Sequence, residues 1–150
     1  MATVFSDPLV PIGSPAAPLE DVALSRAITT YLRTGTSEDV APFVTFLAEH
    51  RDSPWRASLM ANLGGVYRRH GYLSRALIAW DEAWQLAKTH PEPLSHAVAD
   101  GAVADWLELS INLARIDAAT QRMAELATRE VGGTASTRSE EHTSELQSQR

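Results

Sequence analysis

A pair of glycines set inside a helical pattern constrains this chain more than any other feature. Residues 62–87 read Asn-Leu-Gly-Gly-Val-Tyr-Arg-Arg-His-Gly-Tyr-Leu-Ser-Arg-Ala-Leu-Ile-Ala-Trp-Asp-Glu-Ala-Trp-Gln-Leu-Ala. Apolar residues recur at Leu59, Leu63, Val66 and Tyr67, stop at Gly71, and resume at Leu73, Ala76, Leu77, Trp80, Ala83, Trp84 and Ala87. Both runs follow the spacing of an amphipathic helix, so the stretch predicts a helical hairpin that turns at Gly71. Gly64 and Gly65 each cost about 1 kcal/mol against alanine inside a helix. That cost is expected where the backbone of a neighbouring helix passes close.

The flanking sequence extends the pattern. Met1–Pro18 holds Pro8, Pro11, Pro15 and Pro18 around Gly13; proline removes a donor and disfavours helix in the residue before it. Residues 1–18 are therefore expected to form a disordered Pro-rich leader, with Phe5, Leu9, Val10 and Ile12 free to touch the first helix. A helix is expected over 19–33, with Glu20 and Asp21 in its first turn, a stripe of Val22, Leu24, Ala27, Ile28, Tyr31 and Leu32, and Gly35 as its cap. A second follows the N-cap Ser37 and runs to about His50, burying Val40, Phe43, Val44 and Leu47 with Phe46 beside them. Ser53-Pro54 marks the next start, with serine as cap and proline at the first helical position, and that helix runs to about His70. The fourth covers about 73–89. The fifth, about 93–113, is apolar almost all round in its second half. The sixth, about 117–131, turns Ala118, Ala119, Met123, Leu126 and Ala127 inward and closes at Gly132-Gly133. No segment has the period-2 alternation of a strand, so the chain is expected to be all-α.

The hairpin also repeats. Tyr67-Gly71-Ala76 has a counterpart 36 residues earlier in Tyr31-Gly35-Val40 and another 43 residues later in Ser110-Ala114-Ala119. Over the middle unit, Leu63-Gly64, Tyr67, Gly71, Ala76, Trp80 and Ala83 resemble the tetratricopeptide (TPR) repeat, whose period is about 34 residues. The unit departs from the pattern at Met60, where a large aromatic is usual, and at Lys88, where the closing proline is usual. The resemblance covers about 19–131 and is specific over 59–87. It implies a TPR-like α-solenoid over 19–133, built of about six helices in three antiparallel pairs. Its concave face is lined by the first helix of each pair and binds protein or peptide without chemistry of its own. On that face the resemblance puts Ser58, Asn62, Gly65, Arg69 and Asp105. Asn62 matches one position of the family's clamp for a terminal carboxylate. Ser25, Thr29, Gly101 and Asp105 supply no cation at the other inner positions, so that clamp is not expected here.

Ser53-Pro-Trp-Arg56 leading into Val66-Tyr-Arg-Arg69 is similar to helical N-terminal regions of large bacterial proteins that carry RHS repeats or a cysteine-peptidase-like domain. That similarity implies the alternative reading, an accessory module that docks on its own downstream domain within a larger bacterial enzyme or secreted protein whose catalytic part lies further on. Residues 138–148 resemble a translated sequencing-library adapter. Residues 134–150 are accordingly expected to be a disordered, non-native tail, and the natural chain is expected to continue past about Thr137.

Charge and composition narrow the function classes. A net charge of −6 over 150 residues argues against nucleic acid, whose phosphates require clustered Lys and Arg. Without cysteine there is no disulfide and no thiolate metal site. No run is apolar enough to span a membrane, and the first residues lack the basic start of a signal peptide, which leaves a cytoplasmic location as the default expectation. His50, His70 and His90 stand at helix ends, where the dipole suits them, and not in one metal site. The Arg56, Arg68, Arg69 and Arg75 cluster is expected to be a solvated helix surface, with Asp81 and Glu82 as available partners. Trp80 and Trp84, four apart, are expected in the core. No nucleophile elbow or phosphate-binding glycine loop occurs, so no catalytic residue and no cofactor are expected.

Overall fold

The computed structural model describes residues 5–34, 36 and 38–132. Gly35 and Ser37, expected to end one helix and cap the next, lie outside the described residues, as do Gly133 and the adapter-like string. Among the described residues every regular element is an α-helix: α1 Pro18–Thr34, α2 Ala41–Glu49, α3 Arg56–Arg69, α4 Leu73–Ala87, α5 Pro93–Asn112 and α6 Ile116–Gly132. No helix of the described residues is long and apolar enough to cross a membrane. The chain divides into two compact units, Met1–Leu109 and Ser110–Arg150.

In the first unit α1 packs on α2 and α3 packs on α4. Leu24, Ala27 and Tyr31 of α1, Val40, Phe43, Phe46 and Leu47 at α2, and Leu59, Leu63 and Val66 of α3 form one core with Phe5. Phe5, Tyr31 and Phe43 meet ring to ring, with Phe43 at 5.1 Å from each of the other two. Val22, Leu32 and Val44, expected on the buried stripes, are instead about half exposed. Helices α1 and α2 each bury a narrower strip than the apolar pattern allowed.

Helix α2 starts later than expected. Asp39, through Oδ1, accepts the Ala41 amide at 3.1 Å, and Pro42 falls in the first turn. A start directly after Ser37 would drive the Pro42 ring into the carbonyl four residues back. Helix α3 likewise starts at Arg56 and not at Pro54. Ser53 still acts as a cap, its Oγ accepting the Trp55 amide at 3.2 Å, over a turn that precedes the helix.

The α3–α4 contact is organised by one side chain. The Trp80 indole lies over Gly64, where an added Cβ would overlap its Nε1, Cδ1 and Cε2, and Nε1 donates to the Ala61 carbonyl at 3.1 Å. Gly64 is thus needed for a ring, not for the helix backbone that its sequence position suggested. Gly65 is different: only Arg69 Nη1, at 3.8 Å, comes near a Cβ there. Ala76, Leu77, Trp80, Ala83, Trp84 and Ala87 of α4 are buried as the periodicity predicts; Ala79 is buried as well, and Leu73, expected inward, is half-buried.

Two helix ends repeat each other in detail. Gly71 has φ +83° and Ala114 has φ +60°. The amide of Gly71 bonds the Arg68 carbonyl and that of Tyr72 the Tyr67 carbonyl; the amide of Ala114 bonds the Ile111 carbonyl and that of Arg115 the Ser110 carbonyl. Each is the paired bonding of a left-handed helix cap. The next positions also agree, since Ala76 and Ala119 bond back four residues and both are buried. The 43-residue spacing read from Tyr67-Gly71-Ala76 and Ser110-Ala114-Ala119 is therefore a spacing of matching local geometry. Of the other inward residues expected on α6, Ala118, Met123 and Ala127 are exposed and Leu126 is half-buried.

Substitutions at these glycine and alanine positions separate the effects. Gly64→Ala is expected to destabilise the chain by about 1–3 kcal/mol through overpacking against Trp80, whereas Gly65→Ala stabilises it by up to about 1 kcal/mol. Ala114→Gly removes a left-handed alanine and should add about 1 kcal/mol. Urea unfolding followed by circular dichroism reads all three.

Candidate peptide groove along α3

Helical geometry splits α3 into three faces. Leu59, Leu63 and Val66 point into the α1–α2 core, and Ala61 and Gly64 meet Trp80. The third face carries Ser58 and Asn62, one turn apart, with Gly65 and Arg69 further along. Ser58 and Asn62 are buried polar residues, and buried polar groups require partners.

Their partner is the chain's own segment 5–12. The expectation of disorder for this stretch does not describe what it does. Asn62 Oδ1 accepts the Asp7 amide at 3.1 Å, and Ser58 Oγ accepts the Val10 amide at 3.0 Å. The Ser58 hydroxyl also lies 3.4 Å from the Pro8 carbonyl, to which it donates. The Ile12 amide donates to the Pro54 carbonyl at 2.8 Å. Asn62 is itself held, its Nδ2 donating to the Ser58 carbonyl at 3.0 Å. The acceptors retreat from 62 through 58 of α3 to 54 in the turn before it as the segment advances from 7 through 10 to 12. The segment therefore runs antiparallel to the helix, gripped about once per turn of 5.4 Å. Phe5 at one end enters the aromatic core, and Ile12 at the other is buried. Next to Ile12, Gly13 has φ +92°, and the His90 ring sits close against it, so that an added Cβ would stand 2.9 Å from His90 Cε1.

Between the segment and α5 lies a cleft of about 160 Å³, lined by Asp7, Pro8 and Val10 on one side, Ser58 and Asn62 beneath, and Val98, Gly101, Ala102 and Asp105 of α5 among the rest. The structure thus brings Ser58, Asn62 and Asp105 of the sequence-predicted set to one place. Gly65 and Arg69 share the α3 stripe but do not line this cleft. Gly65 is half-buried and Arg69 exposed. The docking of this segment is not visible in the sequence, because its prolines signal irregular backbone and give no hint of a partner. The available signal was Ser58 and Asn62 on a helix with no exposed face to spare.

Charges around the cleft are unevenly matched. Burial raises the Asp105 carboxyl above the ordinary carboxylate range, the nearby Glu108 and Asp7 raise it further, and Arg68 opposes them. Arg68 pairs with Glu108 at 3.0 Å. Arg56 pairs with Glu82 at 2.6 Å and its Nη1 donates to the Leu47 carbonyl at 3.2 Å, so this arginine ties three helices and is not simply solvated. Such part-exposed pairs are worth about 0.2–1 kcal/mol. Arg75 lies 5.3 Å from the Tyr72 ring centre. Among the described residues no group of three metal-binding side chains converges.

Comparison with family models, with curated proteins and with solved structures finds no match.

The raised Asp105 carboxyl makes a signed prediction. A group that holds its proton more tightly when folded favours the fold below its unfolded value and loses that contribution as pH rises through the folded one. Asp105→Asn should raise the thermal midpoint at neutral pH. The gain should fade as pH falls through the raised folded value and be absent below about 4, where the unfolded carboxyl is also protonated. Thermal melts across that range check it.

Proposed function

We propose that this chain is a non-catalytic, TPR-like helical scaffold that binds an extended segment of protein or peptide along the Ser58–Asn62 stripe of α3. In this reading the hairpins stack as TPR-like pairs and α3 and α5 line the binding face. One observation carries the proposal: two buried polar side chains of α3 receive the main chain of an extended segment, not its side chains. An acceptor aimed at backbone N–H groups suits any extended peptide, because every residue except proline offers that donor. Small residues at Ala97, Gly101 and Ala102 keep the opposite wall low. The matching caps at Gly71 and Ala114 support the repeat on which the scaffold reading depends.

The reading is tested by panning a display library of short linear peptides on the chain. One form is the full wild-type chain; the other carries Val10→Pro and Ile12→Pro, which delete two amides of the resident segment. The expected outcome is enrichment of extended peptides on at least one form, with binding lost by about tenfold or more in the Ser58→Ala, Asn62→Ala double variant, as removal of two buried hydrogen bonds of about 1 kcal/mol each implies. Failure to enrich on either form, or binders indifferent to both α3 substitutions, would reject it.

A further inference from the structure

Segment 5–12 does not fill the groove it occupies. It contributes main-chain bonds to Ser58, Asn62 and Pro54, yet leaves a cleft of about 160 Å³ beside α5. It also sets Asp7 at the same cleft as Asp105, two carboxylates where a cation would suit better. An occupant with poor charge and unfilled volume is a weak one. Resting on the peptide-binding reading above, we propose that segment 5–12 is a built-in competitor that covers the α3–α5 groove until an extended peptide with a basic residue in the place of Asp7 displaces it.

The physical case has three parts. First, the bonds are interchangeable: Asn62 Oδ1 and Ser58 Oγ accept amides, so an incoming chain reproduces them without loss, and the two buried acceptors are never left unpaired for longer than the exchange. Second, the segment is tethered. A short tether gives an effective concentration on the order of millimolar, enough to hold the groove closed against a free peptide of similar intrinsic affinity. Third, charge supplies the selectivity. Asp7 and Asp105 repel each other, and the field of Asp105 is already crowded by Glu108, with Arg68 opposing it. A lysine at the position of Asp7 turns that repulsion into attraction. The cleft beside Pro8 and Val10 accommodates its aliphatic stem against Val98 and Ala102.

Fluorescence anisotropy on the full chain decides the matter, with two labelled probes. One has the sequence of residues 5–12, Phe-Ser-Asp-Pro-Leu-Val-Pro-Ile; the other has Lys at the third position. The receptors are the wild-type chain and the Val10→Pro, Ile12→Pro variant, whose helices lie outside the substituted stretch and whose circular dichroism should be unchanged. The Lys probe should bind the variant at least about tenfold more tightly than it binds the wild-type chain, since the apparent affinity scales with the fraction of open groove. It should also bind the variant more tightly than the Asp probe does, and Asp105→Asn should remove that preference. Equal binding of the Lys probe to variant and wild type overturns the competitor while leaving the peptide groove standing. No binding of either probe to either receptor overturns both. Amide exchange gives a second readout: adding the Lys probe to the wild-type chain should speed exchange at Asp7, Val10 and Ile12, and unchanged rates at saturating probe would overturn displacement.

Discussion

The lock between Trp80 and α3 determines what every other surface of this helix can do. An indole seated over Gly64, with its N–H on the Ala61 carbonyl, brings α4 close along one third of the α3 circumference. Full burial of a tryptophan is worth more than the roughly 1.5–3 kcal/mol of a smaller apolar side chain, and the hydrogen bond adds about 1 kcal/mol while fixing the ring's position. The remaining circumference is then divided. Leu59, Leu63 and Val66 join the core of α1 and α2, and Ser58 and Asn62 are left on the third side. Along α3 only Arg69, at its C-terminal end, is exposed, so Ser58 and Asn62 have no solvent to face. These two must meet something, and they meet the backbone of segment 5–12.

The central hairpin was legible because its constraints are local. Periodicity names six of the seven buried positions of α4 and misses Ala79, and Gly71 names the turn. Gly64 was legible as a place of close approach, but not as a seat for a ring, since a glycine reports that space is needed and not what fills it. Val22, Leu32, Val44 and Met123 were misread for a shared reason. An apolar stripe states which side of a helix tolerates burial, while the width of burial depends on the neighbour. Ser58, Asn62 and Asp105 were legible only through the repeat they resemble; their shared environment depends on a contact between residues some 50 positions apart in sequence, which no periodicity encodes. Arg56 was read as surface because one strand of sequence shows its charge and not its two acceptors, Glu82 and the Leu47 carbonyl.

The match between the ends of α3 and α5 bears on how the chain came to hold its form. Gly71 makes the left-handed cap without strain. Ala114 adopts the same geometry at a cost of about 1–2 kcal/mol, and it keeps both bonds of the cap. A residue held in an unfavourable conformation shows that the surrounding geometry dictates it. The turn into α6 is set by the unit, not by the local preference of its amino acid.

The three amides that dock on α3 and on Pro54 just before it come from residues 7, 10 and 12, and the prolines of the same stretch stand at 8 and 11. Each ring falls on a beat where no N–H is called for, so stiffness is gained with no bond forgone. The stretch keeps a rhythm: it presents donors at intervals of three and then two, and its prolines fall between them.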